Sequence, residues 1–371
     1  MIVPDIVKDA GLLLIIFFFF MAIHRLLIRS YELKTSSPAV VMAGGIFLES
    51  VHLTFPADNG HFEKVASLAL FLLWLWLIVV CLKEMIRKKD RDSHLGHPLR
   101  SFAVGTWVAA TSVCGTIFCQ QIPEMKDVAY AMAVLDAALW LFFFWLVLRN
   151  FIKVFKGKLY RKIHGIVLFS TVATQSVVIF YDTLFNPSVL HVFSDTFLII
   201  GAFFYITGFI LIFNRYSSER DLDLKRAWTN TNCILHGGMS ITGVASILSH
   251  SVPKDAVLII WIWCLVWFII VECIELIRAV KRIKALGATE GIGTYDVSQW
   301  CRNFTFGMFL VFTMKANLSG EPFFLQWVRN GIVSSGTLII FLLLFCETVL
   351  FFKKNSDVFQ ESSFLFNKSG K

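Results

Sequence analysis

A chain of 371 residues that is 57% hydrophobic, 16% charged and +0.70 in mean hydropathy cannot hide its 38 Phe and 11 Trp in one water-soluble core. This excludes a cytosolic enzyme, a secreted disulfide scaffold, a disordered chain and a nucleic-acid binder, and leaves a polytopic membrane protein. The net charge of +8 is spread through the connections between apolar runs, where it reads as a topology signal rather than a basic patch.

Eleven apolar runs are expected to cross the bilayer as helices: roughly 11–29, 37–55, 66–83, 102–121, 128–149, 164–183, 193–213, 229–249, 257–277, 303–319 and 330–352. The first run is preceded by acids and followed by its basic residues, the reverse of a cleavable signal, so it is read as a retained helix. Of the 34 basic residues, only Lys8, Lys64, Lys126, Lys254, Lys315 and Arg329 lie at the N-terminus or in the alternate connections. The positive-inside rule then puts the N-terminus outside and the C-terminus in the cytoplasm of a protein that spans the plasma (cytoplasmic) membrane many times.

Setting the first span aside leaves five hairpins, each with a short outer turn. Their first arms are rich in small and hydroxyl residues (FAVGTWVAATSVCGT, TNTNCILHGGMSITG), while their second arms are bulky (LWLFFFWLVL, IIWIWCLVWFIIV). Small residues let helices approach closely and face a polar lumen, and large apolar ones suit lipid. The fold expected is therefore an all-α integral membrane protein, with five helical hairpins in pseudo-five-fold array around a central pore and one extra N-terminal helix. Its parts are residues 1–36 (extra helix), 37–352 (ten-helix transport domain) and 353–371 (cytoplasmic tail).

Chemistry has little support. The eight cysteines form no CxxC pair, the close acids Asp90/Asp92 and Asp221/Asp223 sit in basic loops, and no two helices repeat a haem-type histidine spacing. No enzyme, metal or cofactor is expected. Ionisable residues inside spans include Glu49, His52, Asp136, His236 and Glu347. Asp136 is either a helix-packing carboxyl or a proton-coupling group. Glu272 and Glu275 are expected to pair with Arg278 and Arg282 along their own helix.

A lumen built from first arms offers hydroxyls, amides and backbone N–H groups with few carboxylates, which suits anions. Candidate lining residues are Gly44, Gly45, Gly105, Thr106, Thr174, Gln175, Gly237, Gly238, Thr242 and Thr305; Glu49 is the acid that fits such a lumen least.

Five stretches, one per hairpin, carry a resemblance. They are PAVVMAGGI, HPLRSFAVGT (His97 to Thr106), VATQSV (Val172 to Val177), WTNTNCILHGGMSITG (Trp228 to Gly243) and YDVSQWCRNFTFGMF (Tyr295 to Phe309). In this order the sequence resembles the tellurite-resistance/C4-dicarboxylate transporter family, which includes the slow-type anion channels of plant guard cells and the sulfite exporters. The resemblance implies ten helices around a central pore, passage of small anions (chloride or nitrate, sulfite, C4-dicarboxylate or tellurite), a lipid-embedded homotrimer, and a gate. In the family's channels a phenylalanine four residues after an aromatic anchor plugs the pore. From Trp300 that position is Phe304, followed here by Thr305 where relatives often carry proline or glycine. Phe306, followed by Gly307, is the substitute gate. A proton-coupled carrier and a non-transporting receptor or scaffold are the alternative functions.

Overall fold

An apolar segment in hydrocarbon must satisfy its backbone within itself, and the chain does so as helix after helix. The computed structural model describes residues 34–55, 61–87, 94–157, 159–185, 187–218 and 223–369. Ten long helices follow in order: α1 Ala39–Thr54, α2 His61–Ile86, α3 Gly105–Gln121, α4 Lys126–Lys156, α5 Phe169–Leu184, α6 Pro187–Ser218, α7 Ile234–Leu248, α8 Lys254–Gly291, α9 Gln299–Lys315 and α10 Phe323–Ser369. The expected span 11–29 lies outside the described residues. The tail expected after residue 352 continues α10 as helix to Ser369. Among the described residues there is no strand.

Proline sets several of the helix starts, because its fixed φ suits a first turn that lacks N–H partners anyway. Pro38 caps α1, Pro253 caps α8 and Pro187 opens α6. Tight 3₁₀ turns at Arg100–Val104, Gly165–Leu168 and Asn230–Cys233 lead into α3, α5 and α7. Seven described helices are long and apolar enough to cross a membrane. Others, such as α1 with 16 residues and α7 with 15, are shorter.

The odd-numbered helices pack in a closed ring: α1 on α3, α3 on α5, α5 on α7, α7 on α9, and α9 back on α1. Each even helix lies outside, in the groove between its own hairpin partner and the next inner helix. Burial follows: 94% of the apolar window running into α3 is inside the protein, against 22% for α8. Val134, Ile199 and Ile259 on α4, α6 and α8 are exposed, as a lipid-facing surface requires.

The two layers are stitched by a repeated bond. Trp74, Trp140 and Trp261 on outer helices donate their indole N–H to Thr111, Thr174 and Thr313 on the following inner helices, at 3.0, 3.2 and 3.0 Å. Each of these threonines passes its own proton to the carbonyl four residues earlier.

Candidate functional site

All five inner helices contribute to one cavity of about 40 Å³, which therefore lies on the axis of the ring. It sits toward the C-terminal ends of these helices, the end carrying the short turns. Ile46, Ile117, Ile179, Ile241 and Val311 supply one branched aliphatic from each inner helix, and Thr116, Gln120 and Ser176 add polar groups. The space holds a few waters but is no wide passage.

The wall from α9 is Met308, Val311 and Lys315. At 3.6 residues per turn, Phe304 continues that stripe one turn below Met308, and its side chain is buried. Neighbours on α9 frame the direction. Thr305 faces α7, where a Cβ on Gly237 would stand 2.1 Å from its methyl, and Gly307 faces Ile46 on α1. Phe306 points away from this stripe. Its ring meets Phe268 of α8 at 4.9 Å and His236 of α7 at 6.1 Å, with the Arg302 guanidinium 5.7 Å over its face.

Lys315 and Glu49 are the only charged residues lining the cavity among those described, and they form an ion pair of 2.9 Å. Glu49, the acid that suited an anion lumen least, thus faces the axis with its charge matched. Its Oε2 is buried without a hydrogen bond from the described protein groups.

Of the ten candidate lining residues, Gly45 borders the cavity, where a Cβ would stand 2.4 Å from Val113 of α3. The others lie at contacts between helices or at their own backbone. Gly44 faces Leu70, Gly105 faces Phe143 and Phe169, and Gly238 faces Tyr205. Thr174 accepts from Trp140, Gln175 donates to the Leu198 carbonyl of α6 at 3.2 Å, and Thr106, Thr242 and Thr305 donate to carbonyls within three or four residues. Asp136 is fully buried on α4, where its Oδ2 accepts from Ser112 of α3 at 2.7 Å; it does not line the axial cavity. His236 is enclosed by Phe268, Phe306 and Phe309, and neither ring nitrogen has a protein hydrogen bond.

The opposite end is polar. Arg278 pairs with Glu275 at 3.1 Å, as expected, but Glu272 reaches across to Arg302 of α9, because α8 and α9 bring that guanidinium closer than the next turn of its own helix. A side cavity of about 490 Å³ opens there between α8, the lead-in to α7 and the start of α9. On its wall Asp296 is opposed by burial, but hydrogen bonds from Ser298, with Lys34 and Lys354 nearby, hold its carboxyl below the usual range. His164, just before the lead-in to α5, is pushed down to about 4 by burial and by Arg215, with Thr231 on its Nδ1 at 2.8 Å.

Five inner helices thus close around an aliphatic collar and one ion pair. Residues 32–349 match the family model of the voltage-dependent anion channels, SLAC1. The chain belongs to this family. The match takes in all five hairpins up to the last turns of the spanning part of α10. Compared with individually curated proteins, the chain matched none. As a member of the voltage-dependent anion channel family it is a multi-pass membrane protein of the anion channel and transporter class.

Proposed function

We propose that this protein conducts small anions along the axis of its inner ring, and that the ring of Phe304 closes the path beneath the axial cavity. The stripe Phe304, Met308, Val311 and Lys315 carries this reading, since the last three line the cavity and Phe304 follows at helical spacing. A phenyl ring under an aliphatic collar blocks ions by size and by dewetting, because no group there replaces lost hydration. Opening then requires a change of the Phe304 rotamer or a small shift of α9.

A space of about 40 Å³ suits chloride or nitrate better than a C4-dicarboxylate. Sulfite and tellurite are the remaining substrates the resemblance suggests, and a homotrimer in the plasma membrane is the assembly. The lopsided distribution of Lys and Arg supports an outer N-terminus and a cytoplasmic C-terminus, which makes the axial cavity the outer vestibule.

The test is anion conductance in proteoliposomes. Phe304→Ala raises it, and Phe306→Ala does so less. If Phe306→Ala opens the path while Phe304→Ala leaves it shut, Phe306 is the gate. If neither changes conductance, a carrier displaces the channel.

A further inference from the structure

We infer that Glu49 is a built-in anion, seated on the anion site of Lys315 and displaced by the ion that enters the axis. The inference rests on the reading of the ring axis as an anion path and adds the residue pair that sets occupancy at its mouth.

Position comes first. Lys315 ends α9 and Glu49 lies in the last two turns of α1, so the pair bridges the helices that close the ring. No other charged residue lines the cavity among those described. An anion reaching the cavity therefore meets one ammonium and one carboxylate already joined at 2.9 Å.

Chemistry comes next. A lysine ammonium has three protons to donate, and the one carboxylate oxygen paired with it is Glu49 Oε1. The carboxylate is less well served, since Oε2 is buried with no protein hydrogen bond. A carboxylate held by one partner on one oxygen is easier to displace than one held on both. A nitrate or chloride ion brings the same charge to the same ammonium without the constraint of a side chain. While Glu49 stays in place the two charges lining the cavity cancel. When an anion takes Lys315, the positive charge is shared with a mobile ion instead of a tethered one.

A simpler role for the pair is a staple between α1 and α9. The two roles separate by dependence. A staple fails alike when either half is removed. A competing carboxylate weakens anion binding, and only while the lysine is present.

Nitrate flux into proteoliposomes is measured for wild type, Glu49→Gln, Lys315→Gln and the double variant, beside the nitrate-induced rise in melting temperature of each protein in detergent. Glu49→Gln lowers the half-saturating nitrate concentration about tenfold, the scale of a close charge pair. Lys315→Gln raises it, and the double variant follows Lys315→Gln. An unchanged nitrate dependence in Glu49→Gln, or a double variant that follows Glu49→Gln, overturns the inference. If neither wild type nor Phe304→Ala passes nitrate, the channel reading falls on that result, and the ordering of the melting shifts alone decides the anion site.

Discussion

The indole N–H of Trp261 on α8 donates to the hydroxyl of Thr313 on α9 at 3.0 Å, although a tryptophan on a bulky outer arm is the residue expected to face lipid. Trp261 is fully buried, and Trp74 and Trp140 nearly so. Losing the acceptor strands a buried donor. Thr313→Val should lower unfolding stability in detergent by about 1 kcal/mol, and Trp261→Phe on that background should add little. Equal and additive losses would show that the bond is not what couples the layers.

Phe306 is held on three sides by Phe268, His236 and Arg302. Phe306→Ala should therefore cost stability, by less than the roughly 3–5 kcal/mol of a fully buried phenylalanine because Phe306 is only partly buried, while anion conductance changes little. Phe304→Ala should show the larger change in conductance. Thermal unfolding and conductance measured on the same preparations separate the two effects.

Asp136 ties α4 to α3 through Ser112 and stands off the axial cavity. Asp136→Asn, which keeps an acceptor for Ser112, should leave anion flux and its response to a pH gradient as in wild type. Asp136→Ala should lower the melting temperature instead. Loss of proton dependence in the Asn variant would make Asp136 a coupling group and favour a carrier.

His164 adds a pH dependence with a definite sign. Its folded pKa of about 4 lies below the ordinary value of 6.5, so the unfolded chain takes up the proton first as pH falls. The stabilisation is complete above pH 6.5 and is lost as pH drops through 4, up to about 3 kcal/mol in all. The melting temperature in detergent should fall across this window in wild type. In His164→Gln, which keeps a partner for Thr231, that part of the slope should vanish.

Gly165 is where the lead-in to α5 touches the lead-in to α7. A Cβ there would stand 1.9 Å from the Thr231 carbonyl oxygen, and its N–H donates to Asn232 Oδ1 at 2.8 Å. Backbone cannot yield as a side chain can, so Gly165→Ala should destabilise by more than about 3 kcal/mol. Size-exclusion profiles of the detergent extract would register this as loss of the folded peak.

The alternation of small and bulky arms carried the architecture into the sequence, because it reflects which helices are surrounded and which meet lipid. The lining was far less legible. An inner helix is buried on every side, so glycine and threonine mark close approaches in all directions. Gly237 serves Thr305, Gly105 serves Phe143, and Gln175 turns outward to α6. Phe304 was pointed to only by the family resemblance, through its distance from Trp300, and the contrast with Phe306 needed the neighbours of α9. Glu49 and Lys315 were each visible as charges near the same end of the fold. Their pairing depended on ring closure, which no local pattern encodes.

That closure also sets an order of events in synthesis. Thr54 on α1 meets Thr337 on α10 at 2.8 Å across 283 residues of chain, and among the described residues α1 has no ring neighbour on that flank until α9 and α10 emerge. At about 5–20 residues per second the ribosome makes the two sides tens of seconds apart. For that interval the described helices cannot complete the ring around the collar, and Glu49 has no Lys315 to pair with. A chain cut before α9 is therefore not a smaller channel. It is an unclosed one, in which Glu49 lacks its Lys315 partner.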